Sequence, residues 1–99
     1  MSDICKTSTV SAGSETTVYA DSGVVSGLVV YTDGSNTATV LIKSGATTIV
    51  PAMVFPATPR VQAMEFPGDV SFDSLKVTVT GTGASALMFY TPTKLADRV

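Results

Sequence analysis

Few residues in this chain could do covalent or metal chemistry. Histidine is absent, which removes the usual base for a serine or cysteine nucleophile and the commonest metal ligand. Cys5 is the only cysteine. It has no evident basic partner, reads as an inert thiol and cannot form an internal disulfide. Asp33 and Asn36 offer oxygens of the kind calcium takes, but a calcium loop needs further acids at fixed offsets. Asp33-Gly34-Ser35-Asn36 therefore reads as a turn. Asp69 and Asp73 lie in what reads as extended chain, where their spacing does not make an acid–base pair. Gly81-Thr82-Gly83-Ala84-Ser85 has the glycine content of a phosphate loop. Such a loop must open a helix, whereas Ala86-Leu87-Met88-Phe89-Tyr90-Thr91-Pro92 reads as strand. The remaining acid of interest is Asp21, in Tyr19-Ala20-Asp21-Ser22-Gly23-Val24. No catalytic set, cofactor site or metal site follows from these residues.

The elements that must position them are strands. Leu75, Val77 and Val79 alternate with Lys76, Thr78 and Thr80, the period of a half-buried strand. A glycine turn and a second strand over Ala84–Tyr90 follow, and the two read as an antiparallel hairpin. Upstream, strands are expected over Ile4–Val10, Glu15–Ala20, Val24–Thr32 and Thr37–Lys43, the last pairing back on its predecessor through the Asp33-Gly34 turn. Gly27 inside a strand marks a bulge or a close backbone approach. Thr47–Val50 is a short strand stopped by Pro51. The Pro51–Pro59 segment reads as an edge or crossing segment that moves the chain between sheets. Arg60–Phe66 is a strand ended by Pro67-Gly68, with Val61, Ala63 and Glu65 on one face and Gln62, Met64 and Phe66 on the other. Val70–Phe72 is a short approach to the closing pair, and residues 93–99 an exposed tail. Short strands punctuated by Gly and Pro, with no helical period, predict an all-β fold: an antiparallel β-sandwich or jelly roll in a single domain over residues 1–99. The expected core is Val18, Val25, Leu28, Val30, Val40, Ile42, Val54, Phe66, Phe72, Leu75, Val77, Val79, Leu87 and Phe89.

Composition narrows the function classes. The 99 residues are 44% hydrophobic but only 14% charged, with a net charge of -2. A surface so poor in charge is expected to be covered in part by other subunits. Lys6, Lys43, Arg60, Lys76, Lys94 and Arg98 are scattered, which disfavours nucleic acid. No apolar run approaches the roughly 20 residues of a membrane helix, and Met1-Ser2-Asp3 does not open a secretory signal. Synthesis and folding in a reducing cytoplasm are expected.

Two family resemblances follow. Asp21-Ser22-Gly23 resembles, over three residues, the turn of retroviral aspartic proteases. Their dimers bring two aspartates together to share a proton and arm a water. The rest of that pattern departs: Tyr19-Ala20 stands where an apolar pair is usual, and no Gly-Arg occurs. A wider resemblance rests on Gly23-Val24-Val25-Ser26-Gly27-Leu28-Val29-Val30, Ala38-Thr39-Val40-Leu41-Ile42-Lys43-Ser44-Gly45, Phe66-Pro67, Val70-Ser71-Phe72, Leu75 to Ser85, and Leu87-Met88-Phe89-Tyr90. These residues, spanning about 23 to 91, resemble small β-sandwich virion structural proteins of tailed bacteriophages. The group's Gly-Leu pair before the penultimate strand is Ser74-Leu75 here.

The resemblance implies a non-enzymatic virion protein without cofactor, made in the host bacterial cytoplasm. A capsid decoration or cement protein is the first expectation, with itself as a homo-oligomer and the major capsid protein as partners. The alternatives are a tail or fibre appendage that binds a host-surface glycan and, more remotely, the aspartic protease built on Asp21. The first strand and Pro51–Pro59 are the expected contact segments for self-association.

Overall fold

The alternation in Leu75–Thr80 recurs along the chain and sorts it into eight strands. In the computed structural model, which describes residues 5–94, these are β1 (Lys6–Ser11), β2 (Thr16–Tyr19), β3 (Gly23–Tyr31), β4 (Ala38–Ser44), β5 (Thr47–Phe55), β6 (Val61–Phe72), β7 (Leu75–Thr80) and β8 (Ser85–Pro92). Among the described residues there is no helix. Two four-stranded antiparallel sheets form, one in the order β1-β8-β3-β6 and one in the order β2-β7-β4-β5. Four of the pairings nest: β1 with β8, β2 with β7, β3 with β6, and β4 with β5. A long antiparallel ribbon with this nesting, rolled up until β3 meets β8 and β4 meets β7, is a jelly roll. The all-β sandwich expected from the strand period is therefore the fold.

One core lies between the sheets. Val25, Leu28 and Val30 of β3 and Ala86, Met88 and Tyr90 of β8 face Val40 and Ile42 of β4 and Leu75, Val77 and Val79 of β7. Tyr19 packs edge-on to Phe72 at 6.3 Å and beside Tyr90 at 5.5 Å between ring centroids, arrangements that aromatic quadrupoles favour. Of the expected core, Val18 and Phe66 are partly buried against this cluster, and three residues are misplaced. Val54 is 70% exposed, because Phe55 takes the inward position opposite Ala38. Leu87 and Phe89 lie on the outer face of β8, whose inward face carries Ala86, Met88 and Tyr90. A strand that is apolar on both faces carries no alternation to choose between them.

Neither expected hairpin forms. β3 and β4 lie in different sheets, as do β7 and β8. The glycine-rich turns instead arch across the core edge, so that the buried faces of consecutive strands look at one another. Positive φ supplies a reversal in either case; it does not select the partner. Among the described strands the one sequential pair is β4–β5, which reverses at Gly45.

Proline and glycine also act differently from expectation. Pro51 does not stop a strand. It sits inside β5 at the sheet edge, where Val40 pairs with Met53 and Ile42 with Val50, so an extra residue bulges around it. Edge and bulge positions are where a strand tolerates a missing N–H. Chain 56–60 then makes the expected crossing to the other sheet. Pro67-Gly68 likewise interrupts but does not end β6, a 12-residue strand. Its pairing jumps from Gly27–Glu65 to Val25–Val70, and Phe66–Asp69 bulges out, with Asp69 at φ 50°. Gly27 is there because a Cβ on it would stand 2.6 Å from the Met64 carbonyl oxygen. The expected strand Ile4–Val10 is β1, with only Ile4 outside the described residues, as is most of the expected 93–99 tail; Thr93 and Lys94 are exposed.

Candidate functional site

The chemistry-bearing side chains are dispersed, and most are tied into turns. Asp21 is exposed in the β2–β3 turn. Its Oδ1 accepts the Ser22 N–H at 2.9 Å, and its Oδ2 stands 4.0 Å from Lys94 Nζ. Ser22 Oγ donates to Asp73 Oδ1 at 3.3 Å, and the Asp73 N–H donates to Ser44 Oγ at 2.8 Å. These contacts tie three turns together at one end of the sandwich. Cys5 is exposed, with Sγ 4.0 Å from Ser26 Oγ. Asp69 lies in the β6 bulge, away from Asp73. Gly81–Ala84 is the arch between β7 and β8 and opens no helix.

Asp33 occupies itself with its own turn. Its Oδ1 accepts N–H donors from Ser35 and Asn36, both at 2.8 Å, and its Oδ2 accepts the Asn36 side-chain amide at 2.8 Å. Arg60 Nη2 donates to the Asp33 carbonyl at 2.8 Å. The Ser35 N–H, then the Asn36 amide and N–H, hold the Asp33 carboxyl below its usual range. A depressed folded pKa contributes stability above the unfolded value, and that contribution is lost as pH falls through the folded one. The Ser35 and Asn36 amide signals are therefore expected to stay constant from neutrality down through the usual carboxylate range and to move only below it. An Asp33→Ala variant should show no such transition by NMR titration.

Among the described residues no group of three or more His, Cys, Asp or Glu is placed to hold a metal. An open groove of about 450 Å³ runs along the β3–β6 bulge, between Ser26, Met64, Glu65, Phe66, Asp69 and Phe89. Ser26 Oγ donates to the Phe89 carbonyl at 3.3 Å. The groove can accept an apolar side chain.

The feature that departs from an ordinary solvated sandwich is a face. On the outside of the β1-β8-β3-β6 sheet, register brings side chains into three rows. Ser11, Ser85, Tyr31 and Val61 form one; Thr9, Leu87, Val29 and Ala63 the next; Thr7, Phe89, Gly27 and Glu65 the third. The two central strands, β8 and β3, contribute Leu87, Phe89, Val29 and Tyr31 to it. An antiparallel sheet with one face in water normally alternates apolar-in with polar-out. The opposite sheet does so on its central strands: its outer face carries Thr39, Lys43, Lys76, Thr78 and Thr80 around Leu41, with Val54 exposed on its edge strand. No family model, curated protein or solved structure matches this chain. Its function is therefore argued from this face and from the fold.

Reading residues for chemistry missed the face, because Leu87 and Phe89 had been placed in the core. The signal was present in Leu87-Met88-Phe89-Tyr90, a run too apolar for a strand with one wet side.

Proposed function

We propose that this chain is a non-enzymatic structural protein of a tailed-bacteriophage virion, a decoration or cement subunit of the capsid that works by assembling with copies of itself and with the capsid protein. The observation that carries this reading is the apolar outer face of the β1-β8-β3-β6 sheet, on a chain with only 14% charged residues. A subunit that spends its life in contact with neighbours needs such a face; a lone soluble domain is better served by a polar one. The jelly roll adds support by analogy, since it recurs in viral capsid domains and also in lectins and cupins. The Ser22–Asp73–Ser44 contacts brace one end of the sandwich, which suits a block that docks repeatedly on a symmetric lattice.

The glycan-binding alternative needs accessible rings for sugar stacking. Of the three tyrosines, Tyr19 and Tyr90 pack against each other, leaving Tyr31, which is 38% exposed. Quantitative mass spectrometry of purified particles of the phage that encodes the chain tests the proposal. A cement protein is expected at an abundance near that of the capsid protein. A few copies per particle would favour an appendage, and absence from particles would remove the virion reading.

A further inference from the structure

We infer that the outer face of the β1-β8-β3-β6 sheet is closed by a second copy of this chain, in a two-fold, face-to-face sandwich of sheets. The inference rests on the reading of the chain as an assembly subunit and names the partner of that face; it does not depend on where the assembly sits.

Val29, Tyr31, Val61, Ala63, Leu87 and Phe89 form the apolar centre. Cross-strand register makes them continuous: Val29 is opposite both Leu87 and Ala63, and Tyr31 is opposite Val61. Tyr31 and Val61 remain 38% and 55% exposed. Charge points to a like partner. The acids beside this centre, Glu65 and Asp69, both belong to the edge strand β6 and fall at its rim. A strongly basic partner would find no carboxylate in the centre, and an acidic one no cation. A copy of the same face brings an uncharged centre to an uncharged centre, and its own acids to the rim, where water screens them.

Size and geometry agree. Four strands about 4.8 Å apart, with a central strand of eight residues rising about 3.4 Å each, give a flat area of about 500 Å². Side-chain relief raises the accessible area above that figure, toward the roughly 800 Å² per partner of a standard interface. Stacking two sheets about 10 Å apart through β-branched and aromatic side chains is how this chain already builds its own core. In a two-fold arrangement one patch serves both subunits, and the interface closes without leaving a second copy of it exposed.

Sedimentation equilibrium between roughly 1 and 100 µM, with fluorescence-detected sedimentation at lower concentration for a tighter wild type, tests this. The wild type is expected to be a dimer, or an even-numbered assembly of dimers. Val61→Lys and Tyr31→Lys each enter a symmetric interface twice and should raise the dissociation constant at least about tenfold. Both positions are solvent-exposed in the single chain, so the circular dichroism spectrum and melting of these variants report that the fold survives. Val54→Lys, at the 70% exposed position on the other sheet, should leave association unchanged. A monomeric wild type, an odd-numbered assembly, or an association indifferent to both face variants would overturn the inference. So would one broken by Val54→Lys. A dimer absent from virions would remove the virion proposal alone; a monomer abundant in virions would remove the dimer alone.

Discussion

Val77→Asp is expected to leave no folded protein, whereas Leu87→Asp should fold. Val77 has no exposed surface and sits in the middle of β7 among Ile42, Leu75 and Val79. A carboxylate there has no cation or donor to meet, and burying it unpaired costs several kcal/mol. That is comparable to the whole stability of about 5–15 kcal/mol expected of a domain. Leu87 stands on the outer face of β8, beside Val29 and Thr9. Its replacement leaves the carboxylate in reach of water and removes only part of a half-buried side chain, about 1–2 kcal/mol. Far-ultraviolet circular dichroism and thermal melting separate the two outcomes. A folded Val77→Asp together with an unfolded Leu87→Asp would mean that the strand faces are reversed. The same Leu87→Asp chain should sediment as a monomer, because the charge enters the centre of the proposed interface.

The second large effect is expected at Gly81. Its φ is 135°, a conformation that side chains rarely adopt, and a Cβ built on it would run into the Thr37 carbonyl and approach the Ala38 Cα at 3.2 Å. Those obstacles are backbone atoms at the base of β4, which cannot swing aside as the tip of a side chain can. Gly81→Ala should therefore cost about 2–4 kcal/mol, backbone strain and overpacking together. For a domain of this size that is a fall of roughly 10–25 °C in Tm. Gly13 provides the control. Its φ is also positive, at 148°, but nothing lies within 4 Å of its added Cβ. Gly13→Ala should lose only the conformational part. Equal losses at the two positions would show that the arch does not pack against β4 as described.

How far the fold could be read in advance depended on what each strand shows its neighbours. Leu75–Thr80 has the same bounds in the expectation and in the structure, because Lys76, Thr78 and Thr80 are polar and the alternation is clean. Gly27 was legible as a bulge or close approach, and it is both. β8 was legible as a strand but not as to face, since it is apolar on both sides, whereas Val25, Leu28 and Val30 of β3 were expected in the core and lie there. Partner choice was not legible at all. The Asp33-Gly34 and Gly81–Gly83 turns reverse the chain, but whether it returns to the same sheet or crosses to the other depends on pairings such as Lys6 with Tyr90, which no local window contains. For the site, Asp33 and Gly81 were readable as turn residues because their chemistry is local, whereas Asp69, read as extended chain, sits in the β6 bulge. The apolar face needed the face of β8 to be settled first, so it emerged only with the register.

The nested order also constrains the order of synthesis. β8 is the last strand of the described chain, yet it is a central strand of its sheet, hydrogen-bonded to β1 on one side and to β3 on the other. Until it leaves the ribosome, β1 has no partner in that sheet and β3 has only β6. The β4–β5 pair and its neighbour β7 can assemble earlier, but the sheet that holds the apolar face cannot. A nascent chain must therefore hold two open strand edges and half a core until β8 emerges, a condition that favours pairing with other chains. Closure then joins residues as far apart as Lys6 and Tyr90, which places folding among the slow, non-local topologies of milliseconds to seconds. A ribosome-stalled chain ending before Ser85 should accordingly resemble an aggregation-prone intermediate, and release of the last strand is the event that commits it to the native roll.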